Sequence, residues 1–209
     1  MNAKKLSFLL LILVAVACTN RSTSSEQDEM RHWNNVLQQI NALLLENKAR
    51  QTLDLAKQTL PEILESAEKN GTTDTLIYYA RKIFNACGNN YINTKQYKDG
   101  IDYMDSIGNH PLIREHCPHE LLSFKAGLNQ LYGNNPEAVR LAEDYLQLPV
   151  CTSANDFIRQ AEIISGVYMY SGNNLPKAIQ ILEKAIDVYR KGGNFPNMLL
   201  IMSRLGIYY

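Results

Sequence analysis

The sequence predicts an all-α protein built from antiparallel helix pairs repeated along the chain. Three observations carry this. Apolar residues recur at helical spacing almost without a break from Met30 to Tyr209. Helix-favouring Leu, Ala, Ile, Lys, Gln and Glu dominate, and the alternating Val/Ile/Thr runs that build strands are missing. Short Gly-, Asn- and Pro-containing turns punctuate the pattern at similar intervals.

The chain divides into three parts, of which residues 1–17 read as a targeting segment. Lys4 and Lys5 precede an apolar run from Leu6 to Val16, too short for an ordinary transmembrane helix but suited to a signal-peptide core. Ala15 and Ala17 supply the small side chains a signal peptidase needs. Residues 18–29 are polar and read as a tether. Residues 30–209 form the helical body.

Within that body the pattern predicts helices over 30–45, 48–69, 73–93, 97–107, 118–132, 135–146, 155–171, 175–191 and 196–209. Pro61 should kink or interrupt the second, because it lacks an N–H and crowds the preceding turn. Gly133-Asn134-Asn135-Pro136 and Gly172-Asn173-Asn174-Leu175-Pro176 carry real turn chemistry. Each offers a glycine to end one helix, an asparagine to cap the next and a proline tolerated in its first turn.

The helices also repeat. Gly88, Ala126 and Gly166 are each followed twelve positions later by a small residue: Gly100, Ala138 and Ala178. A looser copy runs from Leu37 to Ala49, with Trp33 four residues before it, and a further start stands at Gly206. Small residues in both helices let a pair approach closely, while Leu, Tyr and Met fill the seam to the next pair. A generic helical bundle is the alternative, but it has no reason to repeat at a fixed spacing.

The segments GVYMYSGNNLPKAIQILEKAI (166–186) and GNNYINTKQYKDGIDYM (88–104) resemble the tetratricopeptide repeat (TPR) family. The resemblance covers residues 30–209. It implies a right-handed α-solenoid of about four repeats plus a partial fifth. The repeat length near 40 departs from the 34 usual for the family. The 51-residue gap between the first two anchors, Leu37 and Gly88, departs further. At the other end of the chain, Ala15-Val16-Ala17-Cys18 resembles the lipobox of bacterial lipoproteins, in which Cys18 is acylated; the departure is Ala15, where the pattern prefers Leu. A plain secretory signal is the alternative. Among Bacteroidetes-like lipoproteins, Thr19-Asn20-Arg21 after the cysteine, in place of an acidic cluster, points to the periplasmic side of the envelope.

Charge excludes one class of partner. Lys plus Arg and Asp plus Glu are 21 each, so no global field favours nucleic acid. No glycine-rich phosphate loop, GxSxG elbow or HExxH helix is present, and no enzymatic activity, cofactor or metal is expected. His110, His116, Cys117 and His119 lie within ten residues, but their spacing matches no common zinc site. Pro111 and Pro118 mark the stretch as an exposed inter-repeat loop. Cys87 reads as a small core residue. Cys117 and Cys151 could pair only if the fold brings them together. Trp33, Ile40 and the tyrosines at 91, 97, 103, 145, 168 and 170 stand at packing positions.

The resemblance implies that the first helix of each pair lines a groove for a peptide or a partner helix. By spacing, that groove shows Arg31, Asn34 and Gln38, then Lys82, Asn85 and Asn89, then Glu120, Ser123 and Gln130, then Ile163, Val167 and Tyr170. It grades from amide-rich to apolar, and the apolar end could equally pack on the next helix. The expected function is a membrane-tethered, non-enzymatic protein-interaction module. The alternative is the extracytoplasmic sensory region of a signal-transduction receptor. MLLIMSRLGIYY (198–209) has Ser203 and Arg204 but is otherwise nearly all apolar, so a truncated array is expected, with a capping helix as the alternative.

Overall fold

A computed structural model describes residues 27–149, 154–191 and 195–208, and every described residue lies in a helix or in a turn between helices. Helix α1 covers 27–45. It is followed by α2 (Ala49–Asn70), α3 (Asp74–Asn93), α4 (Tyr97–Ile107), α5 (Pro111–His116) and α6 (Pro118–Tyr132). Then come α7 (Asn135–Gln147), α8 (Ala154–Tyr170), α9 (Leu175–Lys191) and α10 (Phe195–Tyr208). The last three residues of the segment read as tether, 27–29, already belong to α1, where Glu29 accepts a hydrogen bond from Ser66 of α2 at 2.8 Å.

One turn is used four times. Asn47, Lys95, Gly133 and Asn173 all have positive φ, and each stands two residues before the second helix of its pair. Lys48 N–H donates to Leu43 C=O, Gln96 to Tyr91 and Asn134 to Asn129, at 2.8–3.1 Å. These are the six-to-one bonds that close a helix on a left-handed residue. The fourth turn is one residue longer, with Asn174 N–H reaching Tyr168 C=O at 2.9 Å. Here Asn173, not the expected Gly172, takes the left-handed conformation. Asn174 caps α9 by accepting from Lys177 N–H at 3.1 Å. Asn134 makes no such cap; its side chain donates instead to Asn129 at 3.1 Å.

Two expectations change. Pro61 does not interrupt α2, which continues from Ala49 to Asn70. Both Pro61 and Lys57, whose carbonyl loses its partner, are exposed, so water can satisfy the orphaned oxygen. The stretch 110–119 is not an exposed loop. His110 Nδ1 accepts from Leu112 N–H at 3.2 Å, Pro111 occupies the first turn of α5, and Leu112, Ile113 and Cys117 are buried. A proline just inside a helix start was the local signal for this short element.

Within pairs α3 packs on α4, α6 on α7 and α8 on α9; between them α2 packs on α3, and α6 packs on α3, α4 and α8. Helix α6 divides the interior. Phe124 and Leu128 join a core with Trp33, Leu60, Phe84 and Tyr91, while Ala126 joins a second core with Tyr145, Tyr168, Leu182 and Tyr189. Cys87 is fully buried in the first core, as expected, and its thiol faces the Tyr103 hydroxyl at 3.8 Å. Burial pushes that thiol up to about 12. Among the described residues, no helix is long and apolar enough to cross a membrane.

Candidate interaction groove

Two helix-to-helix contacts leave room for nothing larger than glycine. A Cβ on Gly88 of α3 would come within 2.4 Å of the Phe124 ring on α6, and one on Gly127 of α6 within 2.7 Å of Ile163 on α8. In both cases the intruding side chain lies 36 residues after the glycine. Gly127, the neighbour of the expected anchor Ala126, makes the contact; Ala126 itself is buried in the second core. A Cβ on Gly100 would come within 3.0 Å of Leu128 and Tyr91, so the small residue of the second helix serves the same purpose.

This packing leaves two cavities between successive first helices, each of about 390 Å³. The first lies between α1 and α3. Lys82, Asn85 and Asn89 line it together with Leu37, Ile40, Asn41, Leu44 and Tyr78. The Lys82 ammonium lies 5.8 Å from the Tyr78 ring centroid, a cation–π arrangement. No acidic side chain lines this cavity. The second lies between α6, α8 and α10. Gln130, Ile163 and Tyr170 line it with Gly127, Leu131, Glu162, Gly166, Arg204 and Ile207. Glu162 and Arg204 pair across it at 3.5 Å, and Gln130 Nε2 donates to Gly166 C=O at 3.3 Å.

The expected groove residues therefore separate into three groups. Lys82, Asn85 and Asn89 share one cavity, and Gln130, Ile163 and Tyr170 share the other. Arg31, Asn34 and Gln38 are exposed on α1 but line neither cavity, and Arg31 pairs with Asp28 at 3.7 Å. Glu120, Ser123 and Val167 are buried and offer no groove surface. The Glu120 carboxylate, 2% exposed, sits 3.1 Å from Arg81 Nε. Arg81 also donates through its guanidinium to His116 C=O, tying α3 to the end of α5. Ser123 Oγ donates to Glu120 C=O within α6. Val167 belongs to the second core, so at that position packing wins over groove.

Several lining residues escaped the sequence reading. Asn41 continues the Asn34–Gln38 stripe of α1 by three residues, and Tyr78 precedes Lys82 by one helical turn, so helical spacing could have found both. Leu131 follows Gly127 by one turn of α6, so the same spacing could have found it. Arg204 and Ile207 carried no such signal and enter the cavity because α10 lies against it.

Among the described residues no group of His, Cys, Asp and Glu could hold a metal ion. His110 meets Glu68 at 3.1 Å and His119 meets Pro149 C=O at 2.7 Å, on opposite sides of α5 and the start of α6. Cys18 and Cys151 lie outside the described residues, so the acylation site and the Cys117–Cys151 pairing have no structural description. In comparisons with known proteins, no family model matches the chain and no curated protein matches it significantly.

Proposed function

We propose that this chain is a non-enzymatic protein-interaction module of the TPR type. Its helix pairs stack as a right-handed α-solenoid, and acylated Cys18 tethers it to the periplasmic side of a bacterial envelope. The observation that carries the binding role is the position of the two cavities. Both open between first helices of successive pairs, where a groove for an extended peptide or helix would run. The repeated left-handed turn and the glycine contacts 36 residues apart support the stacking. The absence of any acidic lining in the first cavity, and the exposed Tyr170 and Ile207 by the second, favour a partner with acceptor groups and apolar side chains.

Photo-crosslinking in cells tests the binding role. A photoreactive side chain placed at Asn41 or Tyr170 should give discrete protein adducts, and one at exposed Gln180 on α9 should give none. Equal adducts at all three positions, or none at any, would remove the groove reading. Metabolic palmitate labelling tests the tether: label should enter the wild type and be lost in Cys18→Ala. Equal labelling would remove the anchor.

A further inference from the structure

We infer that Asn70 and Gly71 form a self-modifying site. Asn70 loses its amide nitrogen to attack by the Gly71 backbone, and the carboxylate that replaces it releases the first turns of α1 from α2.

Of the asparagines in the chain, only Asn70 is followed by glycine. It is the last residue of α2, where a helix frays, and both residues are exposed. Gly71 holds φ +84° and ψ 160°, and a Cβ built on it would meet nothing within 4 Å. With no side chain of its own in the way, the Gly71 nitrogen can approach the Asn70 carboxamide closely. That nitrogen gives its proton to hydroxide and attacks Asn70 Cγ, closing a succinimide ring. The Cγ–Nδ2 bond breaks, and Nδ2 leaves as ammonia with a proton taken from water. Water then opens the ring. Breaking the new bond to Cγ gives aspartate, and breaking the bond to the backbone carbonyl carbon gives isoaspartate, with the chain rerouted through Cγ. The net change is water taken up and ammonia released.

The amide that is lost has a structural task. Asn70 Nδ2 donates to Ser66 Oγ at 3.2 Å, and Ser66 Oγ donates to Glu29 Oε2 at 2.8 Å. Ser66 is buried and has a single proton to give. A carboxylate at position 70 can only accept, so it competes with Glu29 for that proton and repels it by like charge. It also stands at the C-terminus of α2, where the helix dipole disfavours negative charge. The neighbouring Lys69 is already paired with Glu65 at 2.7 Å.

Little else holds the start of α1. No residue from 27 to 32 is buried, and the first side chain to enter the core is Trp33. His32 also reaches α2, at 3.3 Å from Glu62, but both of those side chains are about half exposed. Losing the Glu29 tie therefore frees the turns before Trp33, while the core keeps the rest of α1 in place.

The experiment ages the full chain at pH 7 and at pH 9 and reads tryptic peptides by mass spectrometry. Peptide 70–81 holds no amide side chain besides Asn70, and peptide 99–114 holds only Asn109, which is exposed and precedes histidine. Peptide 70–81 should gain the mass of an amide-to-acid exchange several-fold faster than 99–114, and faster at pH 9 than at pH 7. It should also become a substrate for an isoaspartyl methyltransferase. Asn70→Gln keeps a donor amide and should stay intact over the same time. Asn70→Asp, made directly, should speed amide hydrogen exchange several-fold over residues 27–36 and leave α3 and α6 unchanged. Ser66→Ala removes the same tie without adding a charge and should speed exchange over the same residues. Conversion at Asn70 no faster than at Asn109 would overturn the site. Unchanged exchange over 27–36 in Asn70→Asp or in Ser66→Ala, or faster exchange throughout the chain, would overturn the release.

Discussion

The Phe124 ring lies across Gly88 so closely that a single added methyl on α3 would come within 2.4 Å of its carbons. Phe124 is 1% exposed and sits edge-on to Phe84, with ring centroids 6.3 Å apart. The glycine is thus a packing requirement, since its φ is not in the left-handed region.

Three substitutions of one kind should give opposite results. Gly88→Ala and Gly127→Ala gain helix propensity but force Phe124 or Ile163 aside, for a net loss of about 1–3 kcal/mol. Among the described residues Gly166→Ala meets nothing closer than 3.9 Å, and it should stabilise by about 0.5–1 kcal/mol. Urea denaturation midpoints of the three variants check the sign at each site.

Lys95 holds φ +59° in the α3–α4 turn, where the equivalent residue of the α6–α7 turn is Gly133. A Cβ in that conformation costs about 1 kcal/mol or more, and the exposed Lys95 side chain has little packing to lose. Lys95→Gly should raise stability by about 1 kcal/mol, read as an increase in Tm, whereas Gly133→Lys should lower it.

Arg81 and Glu120 behave as a unit. Glu120 is 2% exposed and the Arg81 side chain 30%, so removing the arginine leaves a carboxylate in the interior. Arg81→Met should cost about 3 kcal/mol. Arg81→Met with Glu120→Leu should recover most of that loss, because no charge then stays buried. A double variant as unstable as the single one would show that the pair does not act together.

Cys87 should give the protein an alkaline stability slope. Its thiol moves from an ordinary value near 9.0 to about 12, chiefly because burial disfavours the thiolate. Between those values the unfolded chain loses the proton while the folded chain keeps it, so the native state binds more protons and stability falls as pH rises. Relative to Cys87→Ala, wild type should lose about 1.4 kcal/mol per pH unit across that window. Below pH 9 the difference between the two proteins should be flat. Urea melts at pH 8, 10 and 11 measure it.

Of the candidate groove, the sequence made Lys82, Asn85, Asn89, Gln130, Ile163 and Tyr170 legible, because helical spacing places each on the face shared by the first helices. It misassigned Glu120, Ser123 and Val167, which stand at the same spacing but on flanks that neighbouring helices cover. Helical periodicity gives the angle of a side chain about its own axis to within one face. It carries no information on how closely the next helix approaches, and that distance decides between groove and core.

The sequence by itself determined most of the helix boundaries and the short turns between them, because turns, caps and propensity act over a few neighbouring positions. The left-handed Gly133 and the burial of Cys87 follow from such local signals, whereas Asn47, Lys95 and Asn173 take the same conformation with no glycine to mark them. Tertiary structure alone decided that 111–116 is tied down by Arg81 with Leu112 and Ile113 buried, that α2 continues through Pro61, and that Phe124 and Ile163 cover Gly88 and Gly127. Each of those outcomes depends on side chains brought together from more than thirty positions apart, or on whether a lost hydrogen bond faces water, and only packing settles either.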